Sequence, residues 1–242
     1  MKSFKIEIAN QVVEIRTSYD LSCDFFEDFL TDKPYNCRIE VLKDCFIEKA
    51  ERNSSLSTFK EEVSCYSIRP LWLWLISDKL IEYNAFLMHG AAIALENESY
   101  IFIAPSGIGK TTHIQKWLEH CPNAFVINGD KPFVLVDEED GCTIKACGSP
   151  WGGKEHLYSN AIVPLKAIII MERGEENIMK RISMTDAFPL LLQQIYRPVD
   201  ADKMKKTLKL LLKLNGKVTF WHFQCNNFKD DCLQVSYKAL HE

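Results

Sequence analysis

The sequence lacks a hydrophobic run long enough to cross a membrane. Its most apolar segment, IRPLWLWLI at 68–76, is far shorter than the roughly 20 residues that a spanning helix needs, and it indicates a buried helix. Residues 1–17, MKSFKIEIANQVVEIRT, contain no apolar h-region and no small-residue cleavage site, so we predict no signal peptide. We therefore expect a cytoplasmic protein with no membrane partner.

The sequence also lacks an excess of basic charge. Over 242 residues the net charge is -4 and the pI is about 5.9, so no basic face for a nucleic acid is expected. Repeats, low-complexity tracts and Pro/Ser-rich linkers are absent as well. A hydrophobic fraction of 47% and a charged fraction of 26% are those of an ordinary soluble globular protein, and the chain is long enough to bury a sizeable core.

A CxxC motif is absent, and the nine cysteines are odd in number. Without an export signal, this pattern predicts reduced and mostly buried thiols. Cys142 and Cys147 lie close together on a predicted strand, but they have unequal parity and no nearby histidine. We therefore predict no metal or redox pair at these two positions.

Residues 1–85 predict an N-terminal α+β annex. The alternation in 1–16 indicates a strand or a hairpin turning at Asn10, 20–30 has helical spacing, and NCRIEVL at 36–42 indicates another strand. The polar stretch 49–62 is the best candidate for a boundary or a mobile loop. A buried helix is expected to begin near Pro70, and 86–242 is predicted to form the core domain.

The pattern from Phe86 onward indicates a mixed α/β core. FLMHGAAIAL at 86–95 and YIFIA at 100–104 predict two strands, and their short connection makes them antiparallel neighbours. PFVLVDEEDGCTIKACG at 132–148 predicts a hairpin that turns at Asp140 and Gly141. The other predicted elements are a helix at 111–120, a strand ending in acid at 124–130, a strand at 164–172, helices at 185–196 and 200–214, a strand at 217–224 and a final helix.

APSGIGKT at 104–111 has the spacing of a phosphate-binding P-loop (Walker A), with Ala104 in place of the first glycine. Gly107 and Gly109 would let backbone N–H groups approach phosphate oxygens, Lys110 would reach the β- and γ-phosphates, and Thr111 would hold Mg²⁺. The alternative is a Gly-rich turn that only caps a helix, but a strand before and an amphipathic helix after are the context that the motif requires. The predicted nucleotide-binding residues are Ser106, Gly107, Ile108, Gly109, Lys110, Thr111 and Thr112.

The motifs of the large nucleotide-hydrolysing classes are missing. NGDK at 128–131 is not the N/TKxD motif of GTPases, and no LSGGQ-like signature of ABC ATPases occurs. The acid-tipped strand VINGD follows the loop after a single helix, whereas motor and AAA+ proteins normally carry a long chain there. Asp130 ends this strand one crossover from the loop, where Mg²⁺ needs a carboxylate, so we predict it as a metal ligand rather than a turn residue.

Four stretches together resemble one family of kinases: MHGAAIAL, IAPSGIGKTT, INGDKP and, more loosely, GSPWGGKE. The pattern is similar to the catalytic domain of HPr kinase/phosphorylase, which is related in fold to ATP-dependent phosphoenolpyruvate carboxykinase, and to HPr-kinase-like tailoring kinases. The resemblance covers about 86–172. It implies a mixed-sheet P-loop core that uses ATP and Mg²⁺.

The resemblance also implies roles for single residues. His89 would sit beside the γ-phosphate, although a lone histidine on an apolar strand is as often a core residue. Asp130 matches the second of the family's paired aspartates, which act as metal ligand and as base toward a serine hydroxyl. Gly129 stands where the first of the pair would be. A single carboxylate then serves both functions, or Asn128 or another acid supplies one of them.

Two further candidates lie outside these motifs. The Gly-rich loop at 148–155 carries Lys154 and Glu155 and is either a surface turn or a loop that closes on the acceptor or the γ-phosphate, with Lys154 favoured slightly as catalytic. Arg197 ends a predicted helix before Pro198; it either caps that helix or reaches the transferred phosphoryl group.

The leading functional hypothesis is an ATP- and Mg²⁺-dependent kinase that phosphorylates a hydroxyl. The expected hydroxyl is that of a serine in a peptide, a protein or a small molecule. The alternative is a nucleotide-binding regulatory or assembly protein, favoured by the missing acid at Gly129. Carboxykinase chemistry ranks third, because arginine is sparse around the motifs. The acceptor is unidentified, and the sequence leaves a homo-oligomer open.

Overall fold

The structure, a computed structural model, describes residues 2–18, 23–41 and 65–241. The polar stretch at 49–62 lies outside these residues. The described chain forms two compact units, Met1–Tyr83 and Asn84–Glu242. Among the described residues, no helix combines the length and the apolar character needed to span a bilayer.

The first unit contains a three-stranded sheet. Strands β1 (Lys2–Ile8) and β2 (Gln11–Thr17) form the expected hairpin, which turns at Ala9 and Asn10, and β3 (Cys37–Val41) pairs with β2 in parallel. The predicted helix at 20–30 is a 3₁₀ helix over Cys23–Phe29, and a second one covers Ile81–Tyr83.

Helix α1 (Cys65–Leu80) starts earlier than predicted. The sequence placed its start near Pro70, because proline is favoured in a first helical turn, yet Pro70 lies inside the helix. Trp72, Ile76 and Leu80 are spaced four residues apart and are all buried, so one face of the helix continues through the proline.

The second unit is built on a nine-stranded mixed sheet. Strand β10 is the branch point: its first residues pair with β9, and the rest pairs in parallel with β6 on one side and β12 on the other. One branch continues β9-β8-β4, another β6-β5-β7, and β11 pairs with β12. The strands are β4 (Ala85–Leu87), β5 (Ala91–Leu95), β6 (Glu98–Ile103), β7 (Phe125–Asn128), β8 (Phe133–Asp137), β9 (Thr143–Cys147), β10 (Ile162–Arg173), β11 (Ile178–Ile182) and β12 (Thr219–Cys225).

Helices cover both faces of this sheet. The helices of this unit are α2 (Lys110–His120), α3 (Met184–Gln194), α4 (Ala201–Leu212) and α5 (Cys232–His241). Strand β6 shows the two layers, because its side chains alternate between faces. Ile101 and Ile103 belong to the core cluster that includes residues of α3 and α4, whereas Tyr100 and Phe102 belong to the cluster that includes residues of α2 and α5.

The predicted single strand at 86–95 is wrong, because Met88, His89 and Gly90 separate two strands. Strand β4 pairs with β8, while β5 pairs with β6 in the predicted antiparallel hairpin. The backbone N–H of Met88 donates to Pro132 (3.0 Å) and that of Gly90 to Asp130 (2.9 Å). The chain therefore crosses between two branches of the sheet at the point where it passes Asp130.

Several chain ends meet at one edge of this sheet. Strands β6, β10 and β12 are mutually parallel, and β7 runs in the same direction because it pairs antiparallel with β5. Their carboxyl ends, and the amino end of β5, therefore lie along one edge. That edge receives the Gly-rich loop, the acid after β7 and the residues that follow β10 and β12.

Candidate functional site

The Gly-rich loop at 104–109 leads from β6 directly into α2. Gly107 and Gly109 have φ of 83° and 112°, values that side-chain-bearing residues rarely adopt. Gly109 is the N-cap of α2 and supplies no side-chain acceptor, whereas α3 and α4 are capped by Ser183 and Asp200. The first N–H groups of α2 thus have no capping side chain, which suits an anion at this helix end.

Lys110 folds back over this loop, and its Nζ donates to the carbonyl oxygen of Ala104 at 2.8 Å. Burial lowers the pKa of Lys110, and the negative charge of Asp130 partly opposes that shift. A half-buried ammonium group therefore faces the loop, with Asp130 within electrostatic reach.

Two side chains that the motifs did not indicate hold the loop from outside. Arg173, the last residue of β10, donates from Nη2 to the carbonyl oxygen of Gly107 at 2.7 Å. Asn227, after β12, donates from Nδ2 to the carbonyl oxygen of Gly109 at 3.1 Å. The only hint in the sequence was that both residues follow the end of an apolar strand.

Asp130 lies between His89 and Lys131. Its Oδ1 is 3.2 Å from Nε2 of His89, and its Oδ2 is 2.8 Å from Nζ of Lys131. Burial alone would raise the pKa of Asp130, but the hydrogen bonds with His89 and Lys131 outweigh it and hold the pKa at about 2. The carboxylate is therefore ionised throughout the neutral range.

His89 is held from both sides of its ring. Its Nδ1 is 3.0 Å from Oε1 of Gln194, and its backbone N–H donates to the Gln194 carbonyl at 2.6 Å. Both ring nitrogens therefore have an oxygen partner. The structure thus brings His89, Asp130 and Lys131 together on the segment that crosses the two sheet branches.

Asn128 is buried and shapes the turn that carries Asp130. Its Oδ1 accepts the backbone N–H groups of Asp130 (2.9 Å) and Lys131 (2.5 Å), and its Nδ2 donates to the carbonyl and the hydroxyl oxygen of Ser149 (2.7 and 3.0 Å). Two backbone N–H groups already use Oδ1. Asn128 therefore positions the turn, and nothing in its contacts favours the alternative in which it supplies the function of the missing acid.

Gly129 packs against the loop that follows β9. Its N–H donates to the Leu157 carbonyl at 2.7 Å, and a Cβ at this position would lie 2.9 Å from the Gly152 carbonyl oxygen and 3.2 Å from the Leu157 carbonyl oxygen. An aspartate at 129 would therefore require the 152–157 backbone to move. From the same loop, Gly153 approaches Asp130, since a Cβ on Gly153 would lie 3.2 Å from Cβ of Asp130.

The remaining predicted residues are placed as follows. Lys154, Glu155 and Arg197 are exposed, and in the described part of the chain Lys154 and Arg197 have no hydrogen-bond or ion-pair partner. Arg197 follows a short stretch in which the Tyr196 N–H donates to the Leu87 carbonyl at 2.9 Å. On the loop and the first turn of α2, Ser106 and Thr112 are exposed, and Ile108 and Thr111 are partly exposed.

Fold and site together define a mixed α/β protein with a strand–Gly-rich loop–helix unit next to an acid-bearing turn. No family model and no curated protein matches the chain. Among solved structures, the HPr(Ser) kinase/phosphatase from Coxiella burnetii is similar: the match covers 63% of this chain and 89% of that chain at 7% identity, with a TM-score of 0.38. Such a match is a distant fold relationship and carries over no residue role.

Proposed function

We propose that the protein is an ATP- and Mg²⁺-dependent kinase that transfers the γ-phosphoryl group to a hydroxyl. The acceptor we would test first is the hydroxyl of serine in a peptide, a protein or a small molecule. The observation that carries the proposal is the position of the Asp130 carboxylate, which ends its strand at the edge occupied by the Gly-rich loop and influences the pKa of Lys110. A phosphate-binding loop next to an ionised carboxylate is the minimum that phosphoryl transfer requires.

The phosphates of ATP would occupy the loop. The uncapped N-terminus of α2 offers N–H groups, and Lys110 contributes a cation that can exchange the Ala104 carbonyl for a phosphate oxygen. Lys131 adds a second cation beside Asp130, and His89 contacts the other oxygen of that carboxylate. The side chains near the loop therefore carry more positive than negative charge, which suits a polyanionic ligand.

Mg²⁺ fits the oxygen donors at this edge of the sheet, because Asp130 supplies a carboxylate and Thr111 a hydroxyl. Mg²⁺ commonly binds one or two protein oxygens together with phosphates and water. Bound there, Mg²⁺ would neutralise charge on the phosphates. Both oxygens of Asp130 have protein partners, so a metal would share or displace Lys131, whose side chain is 30% exposed.

Asp130 would orient the acceptor hydroxyl more than deprotonate it. A carboxylate with a pKa of about 2 is a weak base, and a loose phosphoryl-transfer transition state needs little proton removal in advance. His89 and Lys131 would stay close to the transferred group as donors. Lys154, exposed on the Gly-rich loop whose Gly153 approaches Asp130, would reach the same group when that loop closes.

One observation favours a second candidate, a nucleotide-binding regulatory or assembly protein. The position of the family's first acid is taken by Gly129, which is enclosed by the 152–157 backbone, and both oxygens of the remaining carboxylate are already occupied by His89 and Lys131. A protein of this kind would bind ATP and change a partner's affinity without phosphoryl transfer.

ADP release from ATP and Mg²⁺ separates the two candidates. The purified protein is assayed alone and with serine, serine-containing peptides and products of neighbouring genes. Lys110→Ala is expected to abolish acceptor-dependent release, and Asp130→Asn to lower it by about 10²-fold or more. Lys180→Ala and Asp202→Asn, at exposed positions on β11 and α4, serve as matched controls.

The result decides between the proposals. Acceptor-dependent release that persists in Asp130→Asn contradicts the role given to that carboxylate. Tight ATP binding without ADP release for any acceptor favours the regulatory protein instead.

A further inference from the structure

Three buried side chains with metal-binding atoms converge behind the Gly-rich loop. His113 lies on α2, Cys225 is the last residue of β12, and Cys232 is the first residue of α5; their exposures are 0%, 3% and 0%. One ring nitrogen and the two sulfurs all lie within 4.8 Å of one another. The proposed phosphoryl-transfer chemistry uses none of these three side chains.

The spacing matches the edges of a metal tetrahedron. Cys225 Sγ is 3.4 Å from Cys232 Sγ, and Cys232 Sγ is 3.4 Å from Nδ1 of His113. With Zn–S of about 2.3 Å and Zn–N of about 2.0 Å, a tetrahedral ion separates its ligand atoms by roughly 3.5–3.8 Å. A disulfide needs its sulfurs about 2.0 Å apart, so the observed separation of 3.4 Å is much closer to the metal spacing than to the disulfide bond length.

Asn227 supplies a fourth vertex. Its Oδ1 is 3.4 Å from Cys225 Sγ and 3.3 Å from Cys232 Sγ, so this oxygen and the two sulfurs form a nearly equilateral triangle. The orientation of the amide is settled by its other atom, because Nδ2 donates to the Gly109 carbonyl, which can only accept. Oδ1 therefore faces the sulfurs.

The ring of His113 is held in place before any ligand arrives. It lies edge-on between Phe102 and Phe223, with centroids at 5.0 and 5.2 Å. Nε2 is 3.1 Å from Oγ of Ser236, which donates its own proton to the Leu233 carbonyl at 2.9 Å and so accepts from Nε2–H. That tautomer leaves the Nδ1 lone pair facing Cys232, as a histidine ligand requires.

Trp117 opposes this tautomer. Its indole N–H, which can only donate, lies 3.2 Å from the same Nε2. An unprotonated Nε2 would accept it and place the proton on Nδ1. The competition predicts that removing the indole N–H strengthens any metal bound at Nδ1.

The two sulfurs are already in hydrogen-bond contact with each other, so the Cys225 and Cys232 side chains lie side by side where one cation could bind both. Thiolates are the form of cysteine that binds metals, and Zn²⁺ prefers sulfur and imidazole nitrogen in a tetrahedral array.

We propose that His113, Cys225, Cys232 and Asn227 form a structural site for a thiophilic divalent cation, Zn²⁺ above all. The site is closed, since four protein atoms supply its vertices and the histidine and both cysteines are buried, so its role is to tie α2, β12 and α5 together rather than to activate water. Binding replaces the S–H bonds of Cys225 and Cys232 by sulfur–metal bonds and releases both protons to solvent. This inference stands whether or not the protein is a kinase.

The test is metal binding by the full chain, stripped with a chelator and kept reduced. Titration with Zn²⁺ is expected to saturate at one equivalent, and Co²⁺ to give tetrahedral d–d absorption with a sulfur-to-cobalt charge-transfer band. Cys225→Ser and Cys232→Ser are expected to lose the band. Cys121→Ser, at a buried cysteine outside the cluster, is the matched control and should keep it.

Three variants guard against misfolding as an explanation. Asn227→Asp keeps an oxygen ligand and should still bind one equivalent of Zn²⁺, whereas Asn227→Ala should bind Zn²⁺ more weakly. Trp117→Phe should lower the Kd for Zn²⁺. If the reduced wild-type protein binds no Zn²⁺ stoichiometrically, or if the Co²⁺ spectrum lacks the sulfur band, the proposal is wrong, and this result needs no variant.

Discussion

The strongest stability prediction concerns Asp130 in the protein without nucleotide. Its pKa is lowered from an ordinary value of 3.8 to about 2, although burial acts in the opposite direction, because His89 and Lys131 bind the ionised form. This lowering of the pKa corresponds to about 2 kcal/mol in favour of the folded state at neutral pH. Asp130→Asn should therefore destabilise the protein by about that amount.

The effect has a definite pH window. A carboxylate whose folded-state pKa is depressed stabilises the fold above its unfolded pKa of 3.8, and that stability disappears as the pH falls through about 2. At pH 3 only about half of the contribution remains. The difference between the wild-type protein and Asp130→Asn should accordingly shrink from about 2 kcal/mol at pH 7 to about 1 kcal/mol at pH 3.

Urea unfolding followed by circular dichroism measures both values. Asp202→Asn is the control, because Asp202 is exposed and pairs with Lys205 on the same helix. Such a surface pair contributes little, so this variant should stay within about 0.5 kcal/mol of the wild type at both pH values. Equal stability of Asp130→Asn and the wild type at pH 7 would refute the account of the His89–Asp130–Lys131 contacts.

Three further predictions concern the backbone around the site. Gly129→Asp should cost about 1–3 kcal/mol in urea unfolding and should not raise phosphoryl transfer above the wild-type rate, since its Cβ would press on the Gly152 carbonyl; a fully stable variant with raised activity would contradict this. Asn128→Ala should cost about 3 kcal/mol in the same assay, because it leaves buried hydrogen-bonding groups without partners. Gly109→Ala should raise the Kd for ATP in calorimetry by about tenfold, since φ is 112° and a Cβ would lie 2.4 Å from Nδ2 of Asn227; unchanged affinity would argue against this loop as the phosphate site.

Elements with strong periodicity were predicted well from the sequence. The 132–148 hairpin, the long strand at 164–172 and the helix after the Gly-rich loop are all present, within a few residues at their ends. Strand β11 was missed, because its residues are exposed or partly exposed and show no apolar pattern. The break between β4 and β5 at 88–90 was missed for the opposite reason. The apolar pattern there is continuous, so it does not indicate where the backbone hydrogen bonds change from one partner strand to another.

For the site, too, local sequence patterns predict only some of the residues that the structure brings together. Lys110 and Asp130 were predicted because a motif and a strand end mark them, and the structure brings them within electrostatic reach. Lys131 and Arg173 went unnoticed, since a lysine beside a turn acid or an arginine at a strand end is common. Only the pairing of strands, which no local pattern reveals, places the Arg173 guanidinium on the Gly107 carbonyl.

The cysteine cluster extends this argument to residues far apart in sequence. Cys225 and Cys232 fulfil the expectation of buried, free thiols, yet their significance depends on His113, more than a hundred residues earlier. His113 lies one turn into the helix that begins at the Gly-rich loop, and Asn227 contacts both the sulfurs and the loop carbonyl of Gly109. A metal bound there would therefore fix the helix N-terminus on which phosphate binding depends. Zinc removal should then raise the Kd for ATP, and an unchanged Kd would show that the metal does not support phosphate binding at this helix end.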